Sequence, residues 1–203
     1  GNNPSIFAQC LNVSDGSVAA NWSDDGVAIC DLDDAADQPR IAGVYDGAYI
    51  SWRDWRNSTP NFPNRDIFVS FVFSTTAAIP QGGGYQWVDN GLRVPFPAQQ
   101  NCDQTDAELS RDYMWMATQD PQDRDGVILA YQDKRHTSAT TGDTIYTAYA
   151  TRFDAEGTVR WGDVRCATND EEQLYPRIVV EGRKHGVGDS TAILVWQDAR
   201  EYP

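Results

Sequence analysis

A chain of 203 residues is long enough to bury a sizeable core as one or two domains. Thirty acidic residues face sixteen basic ones, and the formal net charge of -14 repels nucleic acid and anionic membrane alike, so a non-specific DNA or RNA binder is excluded. Seven Trp and nine Tyr against two Met, with Gly, Asp, Asn and Thr between short apolar runs, favour strands and turns over helices.

Residues 5–10 (Ser-Ile-Phe-Ala-Gln-Cys) read as a strand. They match Asp66-Ile-Phe-Val-Ser-Phe and Asp143-Thr-Ile-Tyr-Thr-Ala-Tyr-Ala, each closing on alternating aromatic and small residues, the period-2 signal of a two-faced sheet. A turn at Val13-Ser-Asp-Gly-Ser follows, with counterparts at Gln81–Gly84 and Asp154–Gly157. Next comes a Trp-centred motif at Trp22, Trp87 and Trp161, the third copy being shortened. Aligned so, Cys166 falls in register with Cys30.

An acidic stretch then leads to Asp37-Gln38-Pro39-Arg40-Ile41, which matches Leu174-Tyr175-Pro176-Arg177-Ile178. Pro suits the first position of a strand, where its missing N–H costs little. The middle copy is expected, in degenerate form, near Ser110-Arg-Asp-Tyr-Met-Trp115. The motif that orders the whole chain follows: aliphatic residues, then Trp/Tyr-x-Asp-x-Arg. Its copies end at Trp52, Asp54 and Arg56, at Tyr131, Asp133 and Arg135, and at Trp196, Asp198 and Arg200.

These motifs recur at a period of roughly 70 residues, with four short strands per period. That pattern predicts an all-β fold of β-propeller-type blades, each of four antiparallel strands. Stacked β-sandwich modules, with about seven strands each, are the runner-up. The predicted division is a half-blade at 1–36, blades at 37–105 and 106–170, and a half-blade at 171–203. The halves are complementary. Joining Pro203 to Gly1 sets Trp196 from Ile6 at nearly the spacing of Trp52 from Ile67 and of Tyr131 from Ile145. Three arrangements fit: a segment of a longer propeller, two copies closed into one ring, or copies joined head to tail in a filament.

The repeats resemble those of secreted bacterial β-propeller proteins, including the broad sialidase-like group. The resemblance spans nearly the whole chain. Asp154-Ala-Glu-Gly157-Thr-Val-Arg-Trp161 is similar to the Asp-box turn of that group, with one more residue between Gly and Trp. It implies a surface protein that binds or acts on glycans. Sialidase chemistry uses an Arg triad, a Tyr nucleophile with a Glu, and an acid Asp. No motif here assigns those roles to particular residues.

No catalytic constellation stands out, and the chain is expected to be non-enzymatic. A residue repeated in every unit is expected to be structural, so the Asp/Arg pairs are expected to fix the strand ends rather than to line a pocket. The Trp residues are expected to pack between blades. Asp120, Asp123 and Asp125 cluster hard oxygens of the kind calcium takes, as do Asp31, Asp33 and Asp34. Neither run fits an EF-hand, and a solvated turn is the simpler reading. No other cofactor is expected. His136 and His185 lack a transition-metal spacing.

The four cysteines form no C-x-x-C, which excludes zinc, haem-attachment and thioredoxin motifs. Two disulfides in an oxidising compartment are one expectation, and free buried thiols the other. Sequons stand at Asn12, Asn21 and Asn57. No apolar run approaches the ~18 residues needed to span a bilayer, so membrane insertion is not expected. No basic-then-apolar leader opens the chain, so a secretion signal is expected to be removed or to lie outside it. The leading expectation is an extracellular or cell-surface structural or adhesive protein that assembles through its half-blades. A carbohydrate-binding or sialidase-like propeller, or a piece of a larger surface protein, are the alternatives.

Overall fold

A computed structural model describes residues 4–32, 36–60, 64–94, 103–112, 126–181 and 191–199. Cys102, Asp120, Asp123, Asp125, His185, Arg200 and the two chain ends lie outside the described residues, as do Asp33 and Asp34. The described protein is all-β, with every strand pairing antiparallel.

Strands β1 (Ile6–Ala8) and β2 (Val27–Cys30) form a pair. Strands β3 (Ala36–Val44), β4 (Gly47–Asp54), β5 (Asp66–Phe73) and β6 (Leu92–Arg93) form a four-stranded sheet in chain order. Strands β7 (Gln104–Asp112), β8 (Gly126–Thr137), β9 (Thr144–Phe153) and β10 (Val159–Arg165) form a second. Strands β11 (Gln173–Val180) and β12 (Ala192–Asp198) form a last pair.

The middle strands of each four-stranded sheet are buried on both faces, which is why β5 (DIFVSFVF) and the start of β8 (GVILAYQD) read as near-continuous apolar runs rather than alternations. One core holds Ile6, Ile29, Ile50, Trp52, Phe68 and Val72, joining the first pair to the first sheet. A second holds Tyr49, Val69, Phe71, Trp87, Leu129 and Tyr131, joining the two four-stranded sheets.

Both four-stranded sheets and the last pair begin with the same irregularity. In β3, β7 and β11 the register slips between Asp37 and Arg40, Thr105 and Glu108, and Leu174 and Arg177. At each slip one non-glycine residue has positive φ: Gln38 (52°), Asp106 (51°) and Tyr175 (54°). These are β-bulges, and a residue that bears a Cβ is strained there unless neighbours hold it. A neighbouring sheet does so. Gln38 Oε1 accepts from Thr105 Oγ1 (3.3 Å) and from the Asp106 amide (3.4 Å), and the Tyr175 amide donates to Gln132 Oε1.

The bulges correct two sequence alignments. Asp106-Ala107-Glu108-Leu109 is the middle counterpart of Gln38-Pro39-Arg40-Ile41, so that copy lies ahead of the segment expected at Ser110–Trp115. The second sheet accordingly opens at Gln104, just before the predicted boundary at 106. Between β8 and β9 a further slip, at Asp133–His136 of β8, moves the register again. Tyr149 faces Tyr131 as Phe68 faces Trp52, so Ala148, not Ile145, is the counterpart of Ile67. Cys30 and Cys166 do occupy like places: Cys30 faces Ile6, and the Cys166 amide donates to Ala148 O (2.8 Å).

Successive sheets are joined by a repeated set of bonds. The Ala36 amide donates to Pro4 O (3.0 Å) and the Gln104 amide to Arg65 O (2.7 Å). The side chains of Gln104 and Gln173 each accept a main-chain amide of the preceding sheet, Ile67 N and Ala148 N, both at 3.0 Å. Trp22 Nε1 reaches Ser74 O (2.7 Å) and Trp87 Nε1 reaches Ala155 O (2.9 Å), each crossing from a unit's last segment to the end of the next unit's third strand. Trp22 and Trp87 thus pack between sheets as expected, whereas Trp161 stands 36 % exposed.

Gln104 is fully buried, and its amide also donates to Asp133 Oδ2 (2.9 Å). Gln104→Leu strands the buried Ile67 N–H, which costs about 1–3 kcal/mol. Urea unfolding is expected to show that loss as a lower midpoint at unchanged slope.

Candidate functional site

Strand β4 ends with its last side chain on the same face as Trp52, because residues two apart on a strand share a face. Asp54 is fully buried there, and Trp52 Nε1 donates to it at 3.3 Å. Arg56 donates to Asp54 through its main-chain amide (2.7 Å) and through Nη2 (2.5 Å). The Arg56 guanidinium lies 3.7 Å over the Phe68 ring and donates to Cys30 Sγ at 3.3 Å. The chain leaving the strand is therefore tied back onto it.

Strand β8 repeats this knot with other partners. Buried Asp133 accepts from Arg135 Nη2 and from Gln104. Arg135 sits 4.3 Å over the Tyr149 ring and pairs with Asp163 at 3.1 Å. Tyr131 OH donates to the same Asp163 (3.0 Å), and burial pushes that phenol well above its usual range. At the third copy Trp196 Nε1 donates to Asp198 Oδ2 (3.2 Å), and Asn169 Nδ2 reaches the same oxygen at 3.1 Å. Asp133 and Arg135 thus bond within their own unit, as Asp54 and Arg56 do apart from their contact with Cys30 of the first pair. Acids and guanidiniums arranged in this way fix strand ends and do not converge on one shared pocket.

Two clusters escaped the sequence analysis because their members come from separate units or loops. Asp103 receives a two-pronged bond from Arg65 and one from Tyr146 OH. Burial, then that acid, push the Tyr146 phenol up to about 12. The second cluster surrounds Asp170. His136 Nε2 lies 2.8 Å from Oδ1, while Ser138 Oγ and the Thr140 amide both donate to Oδ2 at 2.9 Å. The His136 contact first, then these donors, hold the carboxyl well below the usual range. A Ser, a His and an Asp meet here, but the serine donates to the acid and not to the imidazole. The Ser138 hydroxyl is therefore not bonded to the imidazole that would serve it as a base.

Among the described residues no group of three ligating side chains is placed to hold a metal. Cys10, Cys30 and Cys166 carry free thiols. The disulfides considered from the cysteine count therefore do not form among them. Of the sequon residues, Asn57 donates to buried Asp66 (2.6 Å) and Asn21 to Thr75 O (3.0 Å), while Asn12 is exposed.

A cavity of about 430 Å³ opens between the second sheet and the β11–β12 pair. Ala150, Trp161, Val164, Cys166, Leu194 and Trp196 line it, with Arg165 at its margin. Burial raises the Cys166 thiol to about 11. At the like place between the first pair and the first sheet, Ala8, Trp22, Cys30, Ile50 and Trp52 are packed together with Phe68 and leave a filled core. Among the described residues the third copy of the interface has no third strand to supply that Phe.

No known protein family, curated protein or solved structure matches the chain.

Arg135→Met leaves the fully buried Asp133 carboxylate without its guanidinium, an imbalance of about 3–5 kcal/mol. A fall of that size in chemical-denaturation stability, with strand content retained by circular dichroism in the absence of denaturant, is expected. The Asp170 cluster makes a pH-dependent contribution. Its folded carboxyl lies below the unfolded value of roughly 3.9, so its stabilisation is full above that pH and lost as pH falls towards the folded value. Asp170→Asn is expected to be less stable than the parent at neutral pH. The two stability curves are expected to converge below about pH 4.

Proposed function

We propose that this protein is a non-enzymatic structural or adhesive component of the cell exterior, built from propeller-type blades whose incomplete sheets are completed by strand addition between copies. The observation that carries this reading is the pair of open sheet edges. Strand β4 is covered by β5, and β8 by β9, but β12 has no third strand against it among the described residues. Strand β1 pairs with β2, and no strand covers its other edge among the described residues. Each half-sheet offers the strands that the other lacks. Open edges present unpaired N–H and C=O groups, which is how strand-addition partners are recruited.

Exposed apolar residues concentrate on the same pairs. Phe7 on β1, Tyr175 and Val179 on β11, and Ile193 and Val195 on β12 all face water. Apolar side chains grouped beside an open edge mark an interaction surface. The acidic, Arg-rich surface suits an exposed environment, where charge keeps unassembled copies soluble.

Sedimentation velocity over a wide concentration range tests the proposal. The expected result is reversible mass growth, with rings or fibres in electron micrographs of the concentrated sample. A species that stays at the 22.6 kDa of one chain throughout would overturn it. The charge predicts the salt response. Copies carrying -14 each repel one another, and salt screens that repulsion over about 10 Å at 0.1 M. Assembly is expected to strengthen with added salt.

A further inference from the structure

We infer that the cavity beside Trp161 and Trp196 is the acceptor site for the β1 strand of a second copy, with Phe7 seated opposite Trp196 and the Trp161 indole donating to the Val13 carbonyl. This rests on the strand-addition reading above and supplies its partner, register and contacts.

The chain contains the occupied form of this joint. In the first sheet β4 and β5 pair with Trp52 opposite Phe68, Tyr49 opposite Phe71 and Asp54 opposite Asp66. Trp52 and Phe68 stack with ring centroids 6.1 Å apart. Strand β12 repeats β4 residue for residue, Trp196 standing for Trp52 and Ile193 for Tyr49.

Strand β1 repeats β5, and three observations fix the correspondence. Pro4 O accepts the Ala36 amide as Arg65 O accepts the Gln104 amide. Ile6 faces Cys30, and Ile67 O accepts from Val94 at the like place. Gly26 abuts Ala8 O as Gly91 abuts Val69 O, both glycines at φ 79°. Phe7 therefore stands for Phe68, Cys10 for Phe71 and Val13 for Ser74.

Superposing these correspondences places β1 of one copy against β12 of another, Phe7 opposite Trp196, Ala8 opposite Val195 and Cys10 opposite Ile193. Phe7 is 60 % exposed in the single chain, although its counterpart Phe68 is 4 % exposed. The Trp latch agrees independently. Trp22 and Trp87 donate to Ser74 O and Ala155 O, at the end of the next unit's third strand. Trp161 holds the same motif position and lines the cavity, but its indole N–H has no acceptor among the described residues. In the joined form the residue at that acceptor place is Val13, which is fully exposed in the single chain.

Strands β1 and β12 are not paired with each other among the described residues, and β1 carries the residues that match β5 beside β4, which points to β1 of a second copy as the occupant. The joint recurs at each end of the molecule. It closes as a two-copy ring or propagates, according to the rotation between copies.

A single substitution tests register and occupant together. In the template, Tyr49 and Phe71 lie side by side with ring centroids 5.0 Å apart. Ile193→Cys therefore sets a new thiol beside native Cys10 of the neighbouring copy. Oxidation is expected to give disulfide-linked dimers or ladders on non-reducing gels. They should be absent from the parent chain, from Val195→Cys and from Ile193→Cys combined with Cys10→Ser. Trp161→Phe keeps the ring and removes the N–H, and is expected to weaken association roughly fivefold, the worth of one hydrogen bond.

Sedimentation separates the ways of failing. Association without Ile193→Cys cross-links would overturn this register and leave strand addition standing. Cross-links formed within single chains would overturn the second copy as occupant. Full association of Trp161→Phe would overturn the Val13 contact. A parent chain that never associates would remove both proposals.

Discussion

The whole arrangement depends on how a sheet fastens to the one before it. The main-chain amides of Ile67 on β5 and Ala148 on β9 are buried and have no water to turn to. Gln104 and Gln173 supply their acceptors, at 3.0 Å each. A side chain from the following unit thus completes the hydrogen bonding of the preceding one. An unsatisfied buried donor costs more than an ordinary hydrogen bond contributes, so this contact acts chiefly by forbidding alternatives. A unit that docked one residue out of place would leave a buried N–H bare.

The bulges belong to the same fastening. Gln38, Asp106 and Tyr175 adopt a backbone conformation that residues with a Cβ avoid, and each contacts a neighbouring sheet or its side chain. The strain is local and the relief comes from the neighbour. Strand geometry and sheet packing are therefore specified together. The Trp-x-Asp-x-Arg ends act one level lower. They close each unit on itself, with Asp54 and Asp133 buried and matched by guanidinium, indole or amide donors.

Much of the strand order was legible in the sequence because the chain repeats itself. Aliphatic runs that end in Trp52, Tyr131 or Trp196 mark one strand in each unit, and a buried strand tolerates little else. The registers were less legible, for an identifiable reason. A bulge adds a residue to one strand without altering the apolar pattern around it. Matching Ile-Phe to Ile-Tyr therefore set Ile145 against Ile67, although hydrogen bonding sets Ala148 there. The middle copy of Pro-Arg-Ile was misplaced because Ala107 and Glu108 fill the places of Pro and Arg, so shape persisted where identity did not. The Asp103 and Asp170 clusters were invisible because their members lie far apart in the chain and follow no period. The cavity left no trace in the sequence, since its lining comes from strands of two different units.

Because each unit packs, among the described residues, against its neighbours in chain order, folding free energy here is distributed like links in a linear array rather than pooled in one centre. Among the described residues a four-stranded sheet has an interface on both flanks and a two-stranded pair has one. The β1–β2 and β11–β12 pairs should therefore open ahead of the interior sheets, and their amides should exchange with deuterium first. Capping either end would raise the protection of the adjoining sheet and spread cooperativity inward. Local stability would then report how many neighbours a unit has.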